Sequence, residues 1–169
     1  RKGGGKSNIS GTIRLARQAK KSGGRSQMLI SSYSARPDAV TEYGQTKYLL
    51  EEYFRSEGWI TVRPGLVVGQ GGIFGRIVDL VRTLPIMPLI NGGIVNVRVI
   101  GIDSLCKAIE NVIRTDNPKA VYNLFSDEHI SLQEMVAFIA VALDKKRVFV
   151  PINYKVIILF LRVLERIRI

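Results

Sequence analysis

Three residue types able to pass a proton among themselves crowd into the stretch SSYSARPDAVTEYGQTKYLLEEYF, residues 31–54. Serines stand at Ser31, Ser32 and Ser34, a tyrosine at Tyr43 and a lysine at Lys47. A phenol ionises at about pH 10 and is a poor base at neutral pH. A neighbouring ammonium favours the phenolate, which turns a tyrosine into a usable general acid–base. A spacing of four puts Lys47 one turn below Tyr43 on the same face, provided the segment is helical. Two exposed side chains on a solvated helix satisfy the same spacing, so the pair by itself decides nothing. The elements around it have to.

Hydrophobic periodicity predicts those elements. Residues 9–21 read as a helix with Ile9, Ile13, Ala16 and Ala19 near one face, ended by the glycines of SGG at 22–24. Residues 27–30 form a short apolar strand that runs into Ser31 and Ser32. Ser32 thus leaves a strand end, where α/β folds place ligands. Thr41 or Glu42 starts a second helix that lasts to about Ser56 and is closed by Gly58. WITVRPGLVVG is a strand broken at Pro64-Gly65, followed by a helix over 73–83 and a proline-rich connection, LPIMPLINGG. VNVRVI is strand-like, 102–114 is an amphipathic helix, and AVYNLF is a further strand. ISLQEMVAFIAVAL is a helix capped by Ser131, with Glu134 completing a capping box. RVFVP is a last strand before a C-terminal helix from about Tyr154. Strands alternating with helices imply an α/β protein with a largely parallel sheet. No internal repeat is present.

The bulk composition narrows the chemistry. A chain of 169 residues suits an ordinary domain with a real core. The lone cysteine, Cys106, excludes an internal disulfide, and the single His129 has no second histidine for a shared metal. No metal is expected, and a reducing cytoplasm is the expected setting. The net charge of +11 is concentrated: residues 1–37 hold nine Lys or Arg and no acid, and the rest is close to balanced. No zinc-finger, RNP or helix-turn-helix pattern accompanies it, so a solvated basic face is preferred to a nucleic-acid surface. The C-terminal YKVIILFLRVLERIRI is too short to span a bilayer, which takes about 20 apolar residues. It reads as a packed terminal helix, with peripheral membrane contact as the alternative.

Two glycine motifs fail on spacing. GGGKS at 3–7 has only the end of a Walker A loop, and GQGGIFG at 69–75 does not match Gly-x-Gly-x-x-Gly.

Taken in order, strand–SS, YGQTK opening a helix, and strand–VRPGLVVG resemble the short-chain dehydrogenase/reductase superfamily, in its extended and atypical NAD-dependent epimerase/dehydratase branch. NISGTIRLARQAKKSGGRSQMLISS is similar to the helix and strand before the catalytic serine of those proteins. VRVIGIDSLCKAIENVI resembles their later strand–Asp–helix segment, and YNLFSDEHISLQEMVAFIAVAL their substrate-side lobe. The resemblance implies a partial Rossmann-like parallel sheet with a small C-terminal substrate-side lobe. Residues 1–115 would be the C-terminal part of an NAD(P)-binding domain, and 116–169 the lobe and terminal helix, interleaved with it. Tyr43 would be the acid–base, Lys47 would lower its pKa and hold the nicotinamide ribose, and Ser32 would polarise the substrate, with Ser31 and Ser34 as alternatives. Backbone groups of Pro64, Gly65, Leu66 and Val67 would approach the nicotinamide carboxamide. NAD or NADP, a small-molecule substrate such as a nucleotide sugar, and a homodimeric partner are the expected associations.

Two departures shape the expectation. The family's opening Gly-rich pyrophosphate loop does not occur in this sequence, so the chain reads as a fragment beginning about a third of the way in and inactive alone. Epimerases of the family carry a phosphate-gripping arginine seven residues before the late Asp; here that position is Asn96, with Arg98 two residues on. Reductase-like members therefore compete with UDP-sugar enzymes. A non-catalytic nucleotide-binding or scaffold relative is the alternative from another class.

Overall fold

The structure is a computed structural model that describes residues 4–24 and 26–153. The C-terminal helix expected from Tyr154 lies outside the described residues. Two compact units interleave along the chain: residues 1–67 with 100–126, and residues 68–99 with 127–169.

The first unit begins with α1 (Gly4–Lys21) and β1 (Met28–Ile30). α2 (Glu42–Ser56) and β2 (Ile60–Pro64) follow. β1 pairs in parallel with β2, Leu29 opposite Thr61. The periodicity of α1 and α2 delivers one apolar face each to this sheet. Ala16, Leu29, Leu50, Phe54 and Trp59 form a buried cluster, joined by Ile9, Ile13 and Tyr53. The Phe54 and Trp59 rings meet edge to face at 5.3 Å, a favoured aromatic geometry.

Helix α1 starts five residues before the predicted Ile9. Its glycine-rich first turn carries little intrinsic helical preference, but the Gly5 N–H donates to Glu42 Oε1 at 3.0 Å. A side chain from another helix thus satisfies one of the orphan donors of the first turn. Helix α2 matches its prediction, since its signals are local. The Thr41 hydroxyl accepts from the Gly44 N–H at 3.1 Å, and Gly58 closes the segment at φ 71°.

The chain continues through β3 (Leu66–Val68) and α3 (Gly72–Thr83). Next comes β4 (Ile86–Ile90), where a proline-rich connection was expected. Pro88 removes a backbone donor, which a strand tolerates at an edge; β4 has a single described neighbour, the parallel β9 (Val148–Ile152), with Pro88 opposite Val150. Met87 and Leu89 are buried while Ile86 and Ile90 are exposed, the period of two that proline content concealed. The expected strand VNVRVI divides into β5 (Asn96–Val97) and β6 (Val99–Gly101).

Helix α4 (Ile102–Ile113) and β7 (Val121–Leu124) return to the first unit. There β7 completes a parallel sheet of order β1-β2-β7, with Val62 opposite Tyr122. In the second unit β8 (Ile130–Ser131) pairs antiparallel with β5. It leads into α5 (Leu132–Ala142), whose Ser131–Glu134 capping box is complete. α5 packs against α3, and Val81, Met135, Val136 and Ile139 are buried there. Arg147 ties off the end of α3 by donating to the Val81 and Arg82 carbonyls at 2.6 and 3.0 Å. No helix among the described residues is long and apolar enough to cross a membrane.

Candidate active site

The tyrosine, lysine and serines all lie in the first unit, at the C-terminal ends of β1 and β2. The ladder continues beyond the assigned strands: Ser31 N–H donates to Val62 O at 2.8 Å and Tyr33 N–H to Pro64 O at 3.0 Å. These bonds hold the serine segment beside Pro64-Gly65. Gly65 N–H in turn donates to Leu124 O at 3.0 Å. The Pro64 carbonyl and the Gly65 N–H are therefore both engaged within the sheet, while Leu66 and Val67 lead on as the start of β3.

The three serines have different surroundings. Ser31 is buried, and its hydroxyl has no hydrogen-bond partner among the described residues. Such a group normally finds one, from protein, water or ligand. Ser32 is half-buried. Its Oγ lies 2.9 Å from Ser34 Oγ and accepts from the Ser34 N–H at 3.2 Å.

Helix α2 lies close on this segment because the first of its buried residues is a glycine, Gly44. A Cβ on Gly44 would stand 2.7 Å from Ser34 O and 2.8 Å from Ala39 Cβ. Glycine is thus the residue that lets the loop lie directly on the first turn of the helix.

Tyr43 precedes Gly44 and is 56% exposed. One turn on, Lys47 is half-buried, and its Nζ lies 5.9 Å from the centre of the Tyr43 ring, within cation–π range. The same Nζ donates to the Ile30 carbonyl at 2.8 Å, bridging α2 to the residue just before Ser31. Burial pushes the Lys47 amine below its ordinary value, and the negative charge of Glu51 partly restores it.

Glu51 and Arg63 were not singled out from sequence. Glu51 is 1% exposed, one further turn along α2 from Lys47. Arg63 on β2 forks onto it, Nε donating to both carboxylate oxygens at 3.0 Å and Nη2 to Oε2. This bidentate pairing holds the Arg63 guanidinium above its ordinary value. The available signal was a carboxylate within the apolar face shared by Leu50 and Phe54, matched by an arginine inside the strand ITVRP. Among the described residues no group of His, Cys, Asp and Glu is arranged to hold a metal ion.

The fold has close counterparts among solved structures. UDP-glucose 4-epimerase from Thermotoga maritima, solved with UDP-glucose, is similar at a TM-score of 0.70 and 18% identity, over 87% of this chain and 57% of that one. dTDP-glucose 4,6-dehydratase from Bacillus anthracis, solved with NAD, is similar at a TM-score of 0.70 and 17% identity, over 88% and 57%. RMD from Pseudomonas aeruginosa, complexed with NADPH, gives a TM-score of 0.66 and 17% identity, over 85% and 61%. The fold is the one these epimerase and dehydratase structures share. The epimerase fold agrees with the α/β, Rossmann-like arrangement expected from the sequence. The chain spans a little over half the length of the solved structures it matches. No protein-family model and no curated protein sequence matches it.

Proposed function

We propose that this chain supplies the catalytic side of an NAD(P)-dependent epimerase, dehydratase or reductase acting on a sugar-nucleotide-like carbinol. The observation that carries the reading is the 2.8 Å bond from Lys47 to the Ile30 carbonyl. It gathers the Tyr43–Lys47 pair to the strand end bearing Ser31 and Ser32, where folds of this kind bind ligands. The residues fit such a ligand. Ser31 has a buried hydroxyl without a partner among the described residues, Tyr43 is exposed, and Lys47 has used one of its three donors on protein.

A bound nicotinamide would supply hydride exchange at the carbinol carbon. The chain's own residues handle the proton and the positioning. The Tyr43 hydroxyl, as phenolate, takes the proton of the carbinol and returns it in the reverse direction. Lys47 favours that phenolate by charge and holds the ribose with its remaining N–H groups. Ser32 orients the substrate oxygen, with Ser31 and Ser34 flanking it. Pro64, Gly65, Leu66 and Val67 border the carboxamide. On this reading the first unit belongs to the dinucleotide-binding domain and the second to the substrate-side lobe. The Gly-rich loop for the dinucleotide phosphates is not among these 169 residues, so the proposed activity is that of a protein in which these residues are joined to such a loop. A cytoplasmic setting goes with that chemistry.

Binding of NAD or NADP to the intact protein, followed by calorimetry or fluorescence, tests the proposal; no binding of either would end it. Tyr43→Phe should lower turnover by about 10²- to 10⁴-fold, the usual weight of a positioned acid–base, with cofactor affinity kept. Unchanged turnover would remove Tyr43 from the role.

A further inference from the structure

A carboxylate that is 1% exposed needs a reason. Burying a charge is costly, and a buried ion pair can often be replaced by apolar residues without loss of stability. Stability alone is thus a weak reason for Glu51 and Arg63 to interrupt an interface otherwise formed by Leu50, Phe54 and Val62.

Their placement suggests another. Glu51 stands four residues after Lys47 on α2, as Lys47 stands four after Tyr43, so the three share one face. Glu51 is within electrostatic reach of the Lys47 amine, yet no ion pair joins them, because both carboxylate oxygens are taken by Arg63. The other groups around Lys47 are Tyr43 on its own helix, the neutral Ile30 carbonyl of β1, and Arg63 of β2. β1 itself, Met-Leu-Ile, carries nothing ionisable.

We propose that Glu51 is a positioning residue for Lys47, a carboxylate locked by Arg63 so that it stabilises the ammonium one turn away without capturing it. A free carboxylate there would swing onto Lys47 and withdraw it from Ile30 and from any ligand. A neutral residue would leave the half-buried ammonium with a carbonyl and a ring face for support. The catalytic meaning of this device rests on the function proposed above; the coupling between the two side chains does not.

Competitive acetylation of lysines across a pH series, read by peptide mass spectrometry, measures the Lys47 amine without cofactor or substrate. Lys107 and Lys119 serve as exposed internal standards. In Glu51→Gln the reactivity of Lys47 at fixed mildly alkaline pH should rise on the order of threefold to tenfold, equivalent to half to one pKa unit. Glu51→Asp, which keeps the charge, should restore it most of the way. Arg63→Gln should act in the opposite sense, releasing the carboxylate toward Lys47 and lowering its reactivity. Unfolding would also lower the reactivity of Lys47, by returning its amine to the ordinary value, so each variant is read only after circular dichroism shows it folded, and Glu51→Asp keeps the test decisive should Glu51→Gln not fold. A change below twofold in folded Glu51→Gln, a rise in folded Arg63→Gln, or a folded Glu51→Asp that reacts like Glu51→Gln would overturn the inference. Any of these results leaves the proposed enzyme function standing, whereas failure to bind a nicotinamide overturns that function alone.

Discussion

Lys47 Nζ donates to the Ile30 carbonyl at 2.8 Å, so the amine of helix α2 is tied to the end of β1 rather than left beside Tyr43 as a solvated surface charge. One hydrogen bond thus joins the two halves of the candidate site. It also places Lys47 where burial lowers its proton affinity.

That placement has a pH signature. Because the folded-state value of Lys47 lies below the ordinary 10.5, the unfolded chain binds more protons between those two values. The associated stability is fully present above the ordinary lysine value and is lost as pH falls through the folded value. Lys47→Met cannot titrate, so its stability should lack this alkaline rise. Urea unfolding of both proteins from neutral pH to about pH 10.5 checks it; parallel curves would show that Lys47 is not perturbed.

The orphaned hydroxyl of Ser31 yields a separable expectation. A buried polar group without a partner contributes nothing favourable to folding, so Ser31→Ala should keep or slightly raise stability, within about 1 kcal/mol. If Ser31 serves a ligand, the same variant weakens binding of substrate or cofactor while the melting temperature holds. Ser32→Ala instead removes the contact to Ser34 and should disturb the loop. A marked loss of stability in Ser31→Ala would show that its hydroxyl is already satisfied in the folded protein.

Gly44→Ala sets two effects against each other. Alanine is the better helix former by about 1 kcal/mol. Its Cβ, however, would fall 2.7 Å from the Ser34 carbonyl, and overpacking of that kind typically costs about 1–3 kcal/mol. The steric term should win, lowering the denaturant midpoint and displacing the serine loop, with turnover of the intact protein reduced as well. A more stable Gly44→Ala protein would mean that the loop does not rest on the helix.

Much of this architecture was legible in residue order because its causes are local. Thr41 and Gly58 bound α2, and Ser131 with Glu134 starts α5, through bonds that span three or four residues. Four-residue spacing likewise put Tyr43 and Lys47 on one face. Other features depend on partners distant in sequence. One donor in the first turn of α1 is satisfied by Glu42, 37 residues away, and the proline-rich β4 becomes a strand by pairing with β9. The role of Glu51 shows the same division. Sequence presents a glutamate in a charged helix, EEYFRSE, where its place beside Leu50 and Phe54 is the one hint that sets it apart from Glu52 and Glu57. Only folding brings Arg63 across from β2 to bury it, because a carboxylate leaves water only where a matched cation is already held in place.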